Sequence, residues 1–313
     1  MLLLPGLGIA ASPDPSPDAV LADLPFLDVE EPNRIVVDLA PEGSKRPLRL
    51  ILDTGASHTV MTPLAARELG VSVRRLKRDP YRKKTRLGRD LLFYIDTQSS
   101  DTGSRTGWEY GLLGGNFLDD YVVELDFVKR RVRLIDPKRF EVPEQVEAED
   151  ETVLPLAITT TRPAFDVMVN GVTFPVLLDT GAPLGFALSG KLADRAGIES
   201  VPNDLFKFGT VMGVVESRLG ASDRLAVGPF HFEGVPTVVL PNGWFNQGLP
   251  DDAVIGYDIL SQFLVRIDYP RRRLWLKRRP DWQITFAGEA WTAVEPPERP
   301  ADEALEPARD GSK

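Results

Sequence analysis

The sequence predicts a mostly β protein built from two related halves. The chain has 313 residues, of which 42% are hydrophobic, so it can bury a sizeable core. It contains 26 glycines and 27 prolines, and helical periodicity is confined to short stretches, a pattern typical of many short strands joined by turns. Segments of the first half recur in the second half, which predicts two lobes of the same design.

The repeat is clearest in the five-residue word LDTGA, which occurs at residues 52–56 and 178–182. Further along each half, within residues 110–136, the segment 111–135 corresponds without a gap to residues 253–277, at a constant offset of 142 residues. One such word would be a weak signal, because Asp and Gly are frequent in turns for backbone reasons. Two words at matching places in a repeat predict a shared role, and chance duplication of a structural turn is the alternative.

Similar elements surround both words. A strand, a turn and a second strand are predicted before each LDTGA, and Asn170-Gly171 is a strong hairpin signal in the second half. A short amphipathic helix is predicted after each word, ending at Gly70 in the first half and at Gly197 in the second.

These patterns divide the chain into five parts. Residues 1–32 are interpreted as a leader or linker that resembles a truncated signal peptide, since an apolar start is followed by Pro, Ser and Asp but lacks a positive n-region. The remaining parts are an N-terminal lobe (33–140), an acidic linker (141–154), a C-terminal lobe (155–280) and an acidic, proline-rich tail (281–313) for which partial disorder is expected.

Composition argues against several classes of protein. The net charge of −9 disfavours a nucleic-acid partner, and no apolar stretch is long enough for an integral membrane segment. The chain has no cysteine and only two histidines, so neither a metal site nor a cofactor is expected. The basic segment 74–89 is interpreted as a solvated loop, or as a surface that favours acidic substrates.

The duplicated word suggests a specific chemistry. Two related units tend to pair about an approximate twofold axis, which would bring Asp53 and Asp179 together. Two adjacent carboxyls cannot both ionise cheaply, so they would share one proton and act as general acid and general base in one site.

The chain resembles aspartic proteases of the retropepsin-like type, as two fused copies in one chain, like the pepsin-like enzymes. The resemblance rests on ILDTGA with LLG at 112–114, and on LLDTGA with VIG at 254–256. It implies a bilobal acid-protease fold with two pseudo-twofold-related β-barrel-like lobes and the active site between them. It also implies that Asp53 and Asp179 are catalytic and that Thr54 and Thr180 brace the two loops. The other supporting loop residues implied are Gly55, Ala56, Gly181 and Ala182.

The sequence departs from the family in three places. Ala56 and Ala182 are as in retropepsins, whereas pepsin-like enzymes usually have Ser or Thr there, and this difference predicts a less acidic dyad and a mildly acidic optimum. The acidic residues and the Arg that stabilise retropepsin dimers are absent, while Asn116 and Asp258 are expected to cap helices. The two flaps differ most, and the residues expected to contact substrate there are Gly209, Val211, Met212 and Gly213 in the second half and Tyr81 in the first.

The sequence therefore predicts an aspartic endopeptidase that hydrolyses a peptide or protein substrate through a water activated by the Asp53/Asp179 dyad. A single chain carries both half-sites, so a monomer is expected. The alternative is a catalytically inactive peptide-binding or structural protein on the same fold. The leader-like start suggests a secreted or periplasmic location, and a cytoplasmic one stays open.

Overall fold

We describe a computed structural model of the chain, covering residues 13–29, 33–42, 47–76, 80–85, 87, 90–95, 111–210, 213–243 and 253–281. Strands account for 51% and helices for 11%, so the predicted mostly β class is confirmed. Within the described ranges, no helix is long and apolar enough to cross a membrane.

Short strands make up most of the structure. In chain order they are β1 Val20–Pro25, β2 Val36–Leu39, β3 Leu48–Leu52, β4 Thr59–Met61, β5 Tyr81–Lys84, β6 Asp90–Ile95, β7 Gly111–Leu113, β8 Val122–Asp126, β9 Arg131–Ile135, β10 Glu151–Pro155, β11 Ala157–Thr159, β12 Arg162–Val169, β13 Val172–Leu178, β14 Phe186–Ser189, β15 Ser200–Thr210, β16 Gly213–Val227, β17 Phe230–Leu240, β18 Ala253–Ile255, β19 Phe263–Asp268 and β20 Arg273–Arg278. The helices are α1 Pro63–Glu68, α2 Val73–Leu76, α3 Gly115–Leu118, α4 Gly190–Arg195 and α5 Tyr257–Leu260.

Each half contributes a curled sheet of its own. The first half forms a six-stranded sheet in the order β2-β3-β7-β4-β6-β5, and the second forms an eight-stranded sheet in the order β11-β12-β13-β18-β14-β17-β16-β15. Their inner faces bury one continuous apolar cluster that includes residues of both halves. In the second half, Asn170 and Gly171 form the predicted hairpin turn with positive φ angles of 48° and 85°.

A third sheet joins the halves. Its six strands run β1-β9-β8-β19-β20-β10, and β8 of the first half pairs antiparallel with β19 of the second at its centre. Glu124 lies directly opposite Arg266 there, and these two residues are also equivalent in the repeat. The local twofold axis that relates the two halves therefore passes between them.

The N-terminal segment differs from its interpretation as a leader or linker. Val20–Pro25 is an edge strand of the shared sheet, paired with β9, and its exposure alternates residue by residue. Ahead of it, the backbone oxygen of Pro13 and the carboxylate of Asp14 accept hydrogen bonds from Arg266. The alternation in VLADLP is typical of a strand with one solvent-exposed face. Residues 1–12 lie outside the described residues.

The acidic linker also contributes to this sheet. Its last residues form the start of β10, which pairs with β20 along its whole length. Glu151 is buried. Its carboxylate accepts hydrogen bonds from Trp275 Nε1 at 2.9 Å and from Lys277 Nζ at 3.0 Å, which compensate for its removal from water. The predicted tail from residue 282 onward lies outside the described residues.

Candidate active site

The two LDTGA loops emerge from equivalent strands. Asp53 follows β3, which pairs in parallel with β7, and Asp179 follows β13, which pairs in parallel with β18. The backbone N–H of each aspartate donates a 3.0 Å hydrogen bond to the neighbouring strand, to Leu113 O in one half and Ile255 O in the other. The hydrophobic-hydrophobic-Gly segments therefore support the loops, as the sequence motif predicts.

The two loops are tied to each other by their threonines. Thr54 Oγ1 donates to Leu178 O at 2.6 Å, and Thr180 Oγ1 donates to Leu52 O at 2.7 Å. Each hydroxyl also accepts the backbone N–H of the opposite threonine, at 3.1 Å from Thr54 N and 3.0 Å from Thr180 N. Both side chains are buried, so this reciprocal brace fixes one loop against the other in the absence of competing water.

The carboxyls of Asp53 and Asp179 face the opposite loop at close range. A Cβ placed on Gly55 would overlap the Asp179 carboxyl, and one placed on Gly181 would overlap the Asp53 carboxyl. Only glycine permits this approach. Within each loop, Asp53 Oδ1 accepts from Ala56 N and Asp179 Oδ1 accepts from Gly181 N, both at 2.8 Å.

This arrangement opposes ionisation of both groups at once. Burial raises the pKa of Asp53 well above its usual value, and the adjacent Asp179 carboxyl adds to this increase. Burial also raises the pKa of Asp179, while the hydrogen bond from Gly181 N–H partly offsets the effect. Because the two carboxyls are coupled, the raised pKa values belong to the pair, which holds one proton between its two members.

Asn116 and Asp258 do not cap helices, so that expectation was wrong. The N-cap residues of α3 and α5 are Gly114 and Gly256, without side-chain caps. Asn116 instead accepts from Thr59 N at 2.7 Å and donates to Leu92 O at 2.9 Å, which joins α3 to two strands. Asp258 accepts a 2.9 Å hydrogen bond from Asn33 Nδ2 of the other half.

Asp258 yields a prediction about stability. Burial raises its pKa to about 6, so the folded protein holds this proton more tightly than the unfolded chain does. Its contribution to stability is fully present below the ordinary pKa of 3.8 and is lost as pH rises through about 6. We therefore expect Asp258→Asn, which keeps the oxygen that accepts from Asn33, to raise the free energy of unfolding above pH 6 by up to about 3 kcal/mol.

Urea unfolding of both proteins at pH 4 and pH 7.5 checks this expectation. The two proteins should be nearly equal at pH 4 and should differ at pH 7.5. The first half offers a matched control, because its equivalent residue is already an amide and Asn116→Asp should lower stability at neutral pH. An equal difference between wild type and Asp258→Asn at the two pH values would contradict the explanation.

Three of the residues expected in the flaps, Gly209, Gly213 and Tyr81, lie in two hairpins. In the second half, β15 and β16 pair with Gly209 opposite Val214 and Thr210 opposite Gly213, while Val211 and Met212 lie outside the described residues. In the first half, β5 and β6 form the corresponding hairpin. Tyr81 is half-buried and packs against the apolar core.

Sequence reasoning missed two arginines beside the dyad. Arg34 precedes β2 in the first half, and its Nη1 donates to Gly181 O in the opposite loop at 2.6 Å. Arg162 begins β12 in the second half, is buried, and lies within electrostatic range of Asp179. Each arginine follows a residue with positive φ, Asn33 or Thr161, a backbone feature that the sequence did not reveal.

Comparison with known families agrees with this geometry. A family model described as aspartyl protease matches the chain in two segments, residues 37–84 and 165–259, each of which contains one LDTGA loop. Each half of the chain therefore contains a segment that is similar to the aspartyl protease family. No curated protein matches it.

Several solved structures are similar to this chain. A retropepsin-like aspartic protease from Rickettsia conorii is 21% identical with a TM-score of 0.30, covering 41% of this chain and 89% of its own. Basic 7S globulin from soybean is 12% identical with a TM-score of 0.42, covering 82% of this chain and 94% of its own. EIAV protease complexed with the inhibitor HBY-793 is 24% identical with a TM-score of 0.25, covering 32% of this chain and 85% of its own.

Proposed function

We propose that this retropepsin-like chain is an aspartic endopeptidase whose catalytic groups are Asp53 and Asp179. The observation that carries the proposal is the pair of carboxyls held face to face by two loops that brace each other through Thr54 and Thr180. A buried pair that shares one proton supplies both a general acid and a general base at one point. Because one chain provides both aspartates, a monomer suffices for the site.

The pair carries one proton and one charge, which gives its two carboxyls different roles in the reaction. We take Asp179 as the ionised partner, which accepts a proton from a bound water while the water oxygen attacks the peptide carbonyl carbon. Asp53, as the protonated partner, gives its proton to the carbonyl oxygen, so a neutral tetrahedral diol forms and the charge moves to Asp53. Collapse of the diol then breaks the C–N bond: Asp179 gives its proton to the leaving amine nitrogen, and Asp53 takes a proton from one diol hydroxyl, whose oxygen becomes the new carbonyl oxygen.

Cleavage of a diverse peptide library between pH 3 and pH 7 tests this function. We expect hydrolysis that a pepstatin-type inhibitor blocks, with an optimum in the mildly acidic range, because both pKa values are raised. Cleavage in H₂¹⁸O should place one ¹⁸O atom in each new carboxyl group, since the water attacks directly.

The same peptides can identify the alternative function. A folded protein that binds library peptides in calorimetry but cleaves none of them at any pH would be a peptide-binding protein on this fold. Hydrolysis that a pepstatin-type inhibitor leaves unaffected would place the chemistry at a different site.

A further inference from the structure

We propose that Arg34 is a positioning residue for the second catalytic loop, and that its guanidinium sets the pH range in which the Asp53/Asp179 pair carries one proton. This inference rests on the proposed function, because it concerns the same pair of carboxyls. It assigns a role to a residue that lies outside both LDTGA words and that belongs to the half opposite the loop it contacts.

Arg34 completes the set of contacts around Gly181. The Gly181 N–H donates to Asp179 Oδ1, its Cα lies against the Asp53 carboxyl, and its carbonyl oxygen accepts from Arg34 Nη1 at 2.6 Å. A residue held on three sides in this way has little freedom to rotate its peptide planes. Since the Asp179 carboxylate depends on one of those planes for its hydrogen bond, Arg34 orients the carboxylate through Gly181.

Asn33, the residue before Arg34, is itself hydrogen-bonded to the second half. Its backbone has a φ of 60°, an uncommon conformation for a residue other than glycine, and its side-chain Nδ2 donates to Asp258 Oδ1 at 2.9 Å. The two adjacent residues 33 and 34 therefore bridge from the first half to two segments of the second half, α5 and the catalytic loop. This bridge fixes the backbone from which the Arg34 side chain extends.

The position of the guanidinium also affects the charge of the pair. Arg34 lies close enough to lower the pKa of both Asp53 and Asp179, which opposes the effect of burial. Among the described residues, the other charged or titratable groups linked to the pair are Arg162, which interacts with Asp179, Tyr269, which interacts with Asp53, and Asp258, which accepts a hydrogen bond from Asn33 beside Arg34. Arg162 stays in place when Arg34 is replaced, so one cation near Asp179 is retained.

Two substitutions separate the geometric effect from the electrostatic one. Arg34→Gln removes the charge, so both limbs of the kcat/KM profile against pH should move to higher pH, and kcat should fall by about 10-fold or more as Gly181 loosens. Arg34→Lys keeps a charge but loses the planar guanidinium, so kcat should fall while the limbs stay close to those of wild type. Arg49→Gln, in β3 of the same half with a 43% exposed side chain, is the matched control. It should change neither kcat nor the limbs of the pH profile.

A second measurement needs no turnover. In protein labelled with ¹³C at the aspartate carboxyl carbons, the signals missing from Asp53→Asn and Asp179→Asn assign the pair, and their titration midpoints should be higher in Arg34→Gln than in wild type. If the midpoints rise although the wild type cleaves no peptide, the proposed function fails and the effect of Arg34 on the pair stands. Unchanged midpoints would overturn the electrostatic role of Arg34. If circular dichroism shows that Arg34→Gln does not fold, an Arg34→Lys variant with wild-type kcat would overturn the positioning role.

Discussion

Replacing Asp53 by Asn is expected to reduce peptide hydrolysis by at least about 10³-fold, and Asp179→Asn should do the same, because each removes one partner of an acid–base pair. The amide keeps the shape of the side chain and can still accept a hydrogen bond in place of Oδ1. The loss should therefore appear in kcat, while binding of an uncleaved peptide changes little. Single-turnover measurements with a library substrate check this expectation.

The same substitutions should stabilise the fold at neutral pH. Burial gives Asp53 a raised pKa, so its contribution to stability is present below its ordinary pKa of 3.8 and is lost as pH rises through the folded value. Asn cannot ionise, so the Asp53→Asn variant avoids this loss, and its Tm at pH 7 should exceed that of wild type by a few degrees. At pH 3 the two proteins should unfold at similar temperatures.

Asp194→Asn, on the exposed side of α4, is the matched control for both readouts. It should leave hydrolysis and Tm close to wild type. Retention of hydrolysis by either dyad variant would remove that aspartate from the mechanism, and a lower Tm at pH 7 would contradict the assignment of a strained, proton-sharing pair.

The second large effect is expected at the ion pair where the halves meet. Glu124 and Arg266 are both fully buried, and Arg266 Nε donates to Glu124 Oε2 at 2.7 Å. Arg133 also pairs with Glu124, while the Arg266 guanidinium stacks over Trp275 with its carbon 4.3 Å from the ring centroid. We expect Glu124→Leu to lower the free energy of unfolding by about 3–5 kcal/mol, since it leaves the charge of Arg266 buried without this partner.

Replacing both charges should cost much less. In Glu124→Leu/Arg266→Met both fully buried charges are removed, so stability should return close to that of wild type. Urea unfolding of the two single variants and the double variant, analysed as a double-mutant cycle, measures the coupling. A cost below about 1 kcal/mol for Glu124→Leu would show that the pair does not hold the shared sheet together.

The sequence alone was sufficient to predict the features whose cause is local or repeated. The LDTGA words, the later Gly segments and the flanking turns recur along the chain, so the mostly β class and the resemblance to aspartic proteases followed from them. The two predicted helices, α1 and α4, also depend on local signals. Each begins at a Ser or Thr cap, Thr62 or Ser189, and is followed by a glycine with positive φ, Gly70 or Gly197.

Only the tertiary structure decided which distant residues meet. The pairing of β8 with β19 places Glu124 against Arg266, and the bridge at residues 33–34 brings Arg34 to Gly181. The edge strand β1, in a segment interpreted as a leader, likewise pairs with β9 of the shared sheet, which lies far from it in the sequence. The register between strands far apart in the chain depends on how whole faces pack, and a local pattern carries no information about the partner it will find.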